Sequence, residues 1–480
     1  MVDLTDSELI AYILSLPQED RRTEFKRLGG TFDVRKTMES IVALTNTDGG
    51  YMVFGVDDPE KTRVKDLDRV FGIEENPDKF DEIGRNIERI IPPTSINWPP
   101  RLVTCAENRT IGLLPIPKAT DSFHSINNHV YIRLEKGNKL LTPLEIIKLS
   151  YAKGFHQADR ELVDVDFDLL KTDHFENWRK ARGISPGNLK EILFHTGLAR
   201  KDKTGLLKPT RAGVLLFALY PHNLMDTKCT IRVFQYTGTN EQVKDHTLNL
   251  IGTPKTIDGP ITKQIKDAHD YVLTLLRAGM RIPASGFVTT YKIPERAVKE
   301  SITNAVIHRD YYQKRDIEVR IFEDRVEIES PGLFPSNITS YNIGFVRAEN
   351  YRNDLLVKHL REFPDPPNLD RNEGVRAMRI EMERSQLYPP VFLSYPLLKD
   401  SVRVVLHNSK KNGEWDIVSD YLSKKEKYIN NEKVREITGN PDSFRISRLL
   451  KKWVDQGLLI RIESGSKRRV KYRLPVDSRW

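Results

Sequence analysis

Glu300-Ser-Ile-Thr-Asn304-Ala-Val-Ile-His308-Arg-Asp-Tyr311 is the stretch on which the fold turns. Pro294 opens a helix that the apolar spacing carries to about Arg309. Val298, Ile302, Ala305 and Val306 form its buried stripe. Glu300, Asn304 and His308 recur one helical turn apart and share another face. A strand follows, Ile317–Phe322, in which Ile317, Val319 and Ile321 alternate. The turn Glu323-Asp-Arg leads to a second strand, Val326–Glu329, stopped by Ser330-Pro331-Gly332. This order predicts an α+β arrangement.

The same residues resemble the ATPase-like domain of the GHKL class, which includes gyrases and histidine kinases. The likeness is strongest to the version in bacterial RecG-like proteins and predicted transcriptional regulators. Tyr351-Arg-Asn-Asp-Leu-Leu and Glu373-Gly374-Val fit the later part of that pattern. The resemblance implies a GHKL-like α/β sandwich over residues 206–405 that binds ATP and Mg²⁺. It implies that Asn304 binds the magnesium bridging the phosphates and that Glu300 positions the attacking water. His308, Glu329, Gly332 and Gly374 then belong to the cofactor site. A carboxylate and an amide one turn apart can face one water and one hard cation. The chain departs from the class where the adenine is read. Glu329-Ser-Pro-Gly-Leu stands in place of an Asp-x-Gly-x-Gly turn, and the lid carries Gly374 without a Gly-x-Gly. The alternative is a retained fold whose Glu300 and Asn304 are only packed by hydrogen bonds.

Toward the N-terminus, Glu19-Asp-Arg-Arg-Thr-Glu24-Phe-Lys26 leads into a short extended run. A helix at about Asp33–Leu44 precedes Asn46-Thr-Asp-Gly49-Gly50, the apolar strand Tyr51–Val56 and Asp57-Asp58. These features, with Tyr131–Lys139 and Pro143-Leu-Glu-Ile-Ile, resemble the Schlafen AlbA-type domain over residues 1–150. In the nuclease members of that family, two glutamates and an aspartate form a metal-dependent RNA-cleaving site. The resemblance places those roles on Glu19, Glu24 and Asp58, with Asp57 as a substitute and Lys26 beside the phosphate. Three carboxylates can hold Mg²⁺ or Mn²⁺. The alternative is a structural strand and an exposed turn on a nucleic-acid platform.

Residues 151–205 read as a polar, helical connector. Beyond the loop at 408–413 comes a compact basic unit, 411–480, with 17 Lys+Arg against 10 Asp+Glu, although the whole chain is only +9. Trp415–Leu422, Asn431–Thr438 and Phe444–Gln456 have helical spacing. Leu458–Ile462 and Val470–Leu474 read as a hairpin. Two short helices, a basic helix and a basic hairpin are the order of a winged helix-turn-helix. Arg445, Arg448 and Lys452 lie on the outer face of the third helix. Lys467, Arg468, Arg469 and Lys471 lie at the hairpin tip and return strand. The first set suits a DNA groove and the second suits phosphates.

The 480 residues leave room for several domains. With 39% hydrophobic and 30% charged residues, neither a membrane protein nor a disordered one is expected. Two cysteines, Cys105 and Cys229, rule out a disulfide framework. The expected setting is the cytoplasm, with a homodimer binding DNA or RNA and no membrane. Two functions compete. One is an ATP-gated, metal-dependent nuclease, with phage defence as the setting implied by resemblance. The other is a non-catalytic, ATP-sensing transcriptional regulator.

Overall fold

The computed structural model describes residues 4–16, 19–62, 64, 66–105, 108–134, 137–244, 247–281, 288–340, 342–367, 374–395, 397–426, 428–462 and 470–475. They divide into two compact units, Met1–Ser150 and Tyr151–Ser478.

In the first unit a four-stranded sheet runs in the order Thr23–Lys26, Gly50–Phe54, Thr110–Ile116, Arg101–Thr104. Its first pair is parallel, with Glu24 opposite Met52, and the others are antiparallel. A parallel pair needs a crossover, which the helix Val34–Thr45 supplies. Asp33 caps that helix by accepting from the Arg35 N–H. Met38, Ile41 and Leu44 of the helix pack on Met52, Phe54 and Leu114. The double glycine at the helix–strand turn has a steric cause. Gly50 has φ 148°, and a Cβ there would collide with the Arg22 carbonyl of the neighbouring strand. Gly50→Ala is therefore expected to cost roughly 3 kcal/mol, read as a lowered urea midpoint.

In the second unit a six-stranded sheet runs Lys255–Ile257, Ile231–Gln235, Ile317–Ile321, Arg325–Pro331, Ser401–His407, Val391–Leu393. Only Ile231–Gln235 and Ile317–Ile321 pair in parallel. The helices Ile261–Ala278, Glu295–Ile307 and Gly374–Arg384 contribute to one large core with this sheet, through residues such as Ile265, Ile302, Met378 and Val404. Residues 151–205, the helical connector of the sequence reading, contribute to that same core. Phe167, Leu170, Phe175, Trp178 and Leu193 are all buried in it.

The chain ends in three helices, Gly413–Lys424, Asn431–Thr438 and Ser443–Asp455, and a two-stranded hairpin, Ile460–Ile462 with Lys471–Arg473. Trp415, Val418, Ile446, Leu450 and Trp453 form its core, which is continuous with Tyr388, Val391 and Val405 at the sheet edge. The helices on both sides of the Gly439 turn keep the boundaries that apolar spacing predicts to within about two residues.

Candidate nucleotide cleft and nucleic-acid surfaces

The helix Glu295–Ile307 buries Val298, Ile302 and Val306, so Asn304 and His308 fall on its opposite edge. There they line a cleft open to solvent. Ile328, Val402 and Val404 of the sheet, Phe334 of the following turn and Met378 of the next helix form apolar walls. Gly332 and Gly374 also line it. A Cβ on Gly374 would lie 2.8 Å from Glu300 Oε2 and 3.2 Å from Asn304 Nδ2. The start of the helix Gly374–Arg384 thus rests directly on both polar side chains. Burial pushes the Glu300 carboxyl up, against the pull of Arg296.

His308 ends the first helix and stacks on Tyr351, with ring centroids 5.8 Å apart and planes 9° from parallel. Burial, aided by Arg352, holds its pKa down at about 4, so the ring is neutral at pH 7. Its Nδ1 is buried without a hydrogen-bond partner among the described residues. Arg352 donates to the carbonyls of His308, Ala152 and Leu333 and fixes the turn behind Gly332. Gly332 has φ 110°, and a Cβ there would strike that guanidinium. An apolar slot lined also by an amide, a half-buried imidazole and the exposed Arg347 suits a nucleotide.

One expected cofactor residue is elsewhere. Glu329 does not line the cleft. Side chains alternate along Arg325–Pro331, so Ile328 and Ser330 face the cleft while Glu327 and Glu329 face the other side of the sheet. Glu329 accepts from Ser401 Oγ at 2.8 Å and pairs with Arg403 at 2.7 Å, Arg315 at 3.1 Å and Arg320. Burial opposes its ionisation, but Ser401, Arg403 and Arg320 outweigh it and pull the pKa to about 2. Among the described residues that line the cleft there is no carboxylate.

In the first unit Glu19, Glu24 and Asp58 are neighbours. Burial raises the Glu19 carboxyl, and the charges of Glu24 and Asp58 raise it further. Glu19 accepts from the Phe25 N–H at 3.0 Å. Asp58 accepts from the Glu60 N–H at 3.0 Å. Lys61 Nζ bridges Asp58 at 2.9 Å and Glu19 at 3.7 Å. Glu24 is 5% exposed and is held between Lys26 and Arg133. Burial alone would raise its carboxyl, but Lys26 and Arg133 outweigh that and hold it below the usual range. Ser40 Oγ lies 3.4 Å from Glu24, and Asn138 joins Ser40 to Arg133. Three carboxylates thus meet three protein cations. Among the described residues no three histidine, cysteine or carboxylate groups are placed to hold a metal ion. The arrangement as it stands does not fit Mg²⁺ or Mn²⁺. Lys61 and Arg133 were not marked by spacing, because Arg133 reaches Glu24 only through the fold.

The third terminal helix leaves Arg448 and Lys452 exposed. Arg445 is exposed too, but pairs with Glu414. Lys471 is half-buried, its charge disfavoured by burial, and it lies 5.8 Å from the Tyr428 ring centroid. Lys467, Arg468 and Arg469 fall outside the described residues, as does Glu373. No helix among the described residues is long and apolar enough to cross a membrane.

Two family models match parts of this chain. Residues 19–142 match the family model "Schlafen, AlbA_2". Residues 314–406 match "Putative ATP-dependent DNA helicase recG C-terminal". The chain therefore carries a Schlafen AlbA-type domain followed by a RecG-like, ATPase-like domain. No curated protein matches it. Among solved structures it is similar to the DIP2311 protein from Corynebacterium diphtheriae, at 15% identity and a TM-score of 0.40, over 98% of this chain and 99% of that one.

Proposed function

We propose that this chain is a nucleic-acid-binding protein whose grip on DNA responds to a nucleotide in the cleft of its second unit. The carrying observation is one helix. Gly374 at its start rests on Glu300 and Asn304, and its later residues Arg379 and Glu383 line a cavity shared with Trp415 and Asp416 of the terminal helices. Lys411 pairs with both Glu383, at 3.5 Å, and Asp416, at 2.8 Å. A helix of 11 residues spans about 16 Å. A shift at the cleft therefore has a rigid path to the winged-helix-like module.

A bound nucleotide with its magnesium supplies a polyanion there. Asn304 offers its amide oxygen to the cation, and Arg347 offers a positive charge at the mouth. His308 and Tyr351 supply a flat wall. Glu300 sits beside Gly374 but borders a separate surface cavity with His269 and Lys299, which favours nucleotide binding over hydrolysis. The carboxylates of the first unit are neutralised by Lys26, Lys61 and Arg133, which counts against a metal-dependent cutting site. The two thiols suit a reducing cytoplasm.

The test is fluorescence anisotropy of the full chain on labelled duplex DNA, with and without ATP and Mg²⁺. Affinity should fall steeply with added salt and change with nucleotide. Equal binding in the presence and absence of nucleotide would sink the reading. Degradation of tRNA or single-stranded DNA by the full chain with added Mn²⁺, abolished in Glu24→Ala, would count against this reading and make Glu19, Glu24 and Asp58 a cutting site.

A further inference from the structure

We infer that Phe444 is a base-reading residue for duplex DNA. The inference rests on the proposed nucleic-acid reading and adds a determinant of sequence to it.

Phe444 is 84% exposed, more than any other large hydrophobic residue among those described. Leaving a whole aromatic ring in water forgoes its burial, so an undirected fold gains nothing from the placement. The ring is at the second position of the helix Ser443–Asp455, two residues after the Asp442 cap, which accepts from the Phe444 and Arg445 N–H groups. Ser447, Arg448 and Lys451 follow it at helical spacing and are all exposed. The opposite stripe, Ile446, Leu450 and Trp453, is buried. Phe444 is thus not a misplaced core residue. It is one ring at the head of a cationic face.

The setting identifies the partner. A protein-docking face carries a contiguous apolar patch. Here the neighbours on the exposed face are hydroxyls and cations, which complement a polyanion. A helix about 10–12 Å across fits the major groove, and residues near the start of such a helix reach base edges. An aromatic ring there meets the thymine methyl, while Arg448 and Lys451 meet guanine or phosphate. The approach angle is fixed: Asn431 Nδ2 of the preceding helix donates to the Ser443 carbonyl at 3.0 Å and to Ser447 Oγ at 2.9 Å.

The experiment selects the full chain against short duplexes with a randomised core, then sequences what is bound. Wild type should enrich a motif containing an A·T pair. Phe444→Ala should keep bulk duplex affinity within about threefold and keep its salt slope, since phosphate contacts set both. It should lose discrimination at one position of the motif by about tenfold. Retention of the full motif by Phe444→Ala overturns the inference. So does a change of oligomeric state on light scattering with the motif unchanged, which would assign the ring to a protein contact. Absence of duplex binding by wild type overturns the nucleic-acid reading itself, a separate result. Circular dichroism controls for folding, which so exposed a position leaves intact.

Discussion

Asn304→Ala should weaken magnesium–nucleotide binding about a hundredfold while leaving the melting temperature within a degree or two of wild type. The size follows from chemistry. An amide oxygen on a hard cation beside phosphates is a charged contact, worth roughly 1.5–3 kcal/mol, and a hundredfold is ~2.7 kcal/mol. The stability half follows from burial. Asn304 is only partly buried, and among the described residues its side chain has no hydrogen-bond partner that the substitution would orphan. The helix it sits on is held by Val298, Ile302 and Val306, which are untouched. Isothermal titration with ATP and Mg²⁺ reads the first half, and a thermal melt without ligand reads the second. If binding survives, the cleft holds its ligand through Arg347 and the apolar walls alone. If the melt collapses instead, Asn304 is a packing residue.

The main helix and both strands after it were legible because their patterns are local. Val298–Val306 repeats at helical spacing, and Ile317–Ile321 repeats at strand spacing. Face assignment was legible too, and Glu329 shows how proximity in sequence misleads. It lies one residue from Ser330, yet alternation alone assigns it to the far side of the sheet. The pairing of Glu24 with Arg133 had no local signal, since the two meet only when the hairpin Tyr131–Arg133 with Asn138–Leu140 closes over the helix Val34–Thr45. Polar composition hid the core role of residues 151–205. Phe167, Leu170, Phe175, Trp178 and Leu193 are too widely spaced among charges to form one periodic stripe, and they converge only against the helix Arg211–Phe217 and its neighbours.

Glu329→Gln should give the opposite pattern to Asn304→Ala: a loss of roughly 3 kcal/mol of stability with nucleotide affinity unchanged. Glu329 is 8% exposed and gathers Arg315, Arg320, Arg403 and the Ser401 hydroxyl. Neutralising it removes the carboxylate that Arg315, Arg320 and Arg403 share; Arg315 keeps Asp400, Arg320 keeps Glu327 and the more distant Glu318, and Arg403 keeps only the longer pair with Glu327. Wild type carries the same dependence in its pH profile. The folded pKa, about 2, is depressed below the ordinary 4.5. The stabilisation from this carboxylate is therefore complete above that ordinary value and drains away as pH falls toward 2. Glu329→Gln should flatten that part of the acid-unfolding curve. Its cleft, on the other face of the same strand, keeps Ile328 and Ser330 in place. An affinity loss in folded Glu329→Gln matching that of Asn304→Ala would return Glu329 to the ligand site and would mean that the two sheet faces are coupled through the strand. Unchanged affinity separates them: one face of Arg325–Pro331 receives the ligand, and the other holds the strand at the charge-rich centre of the sheet.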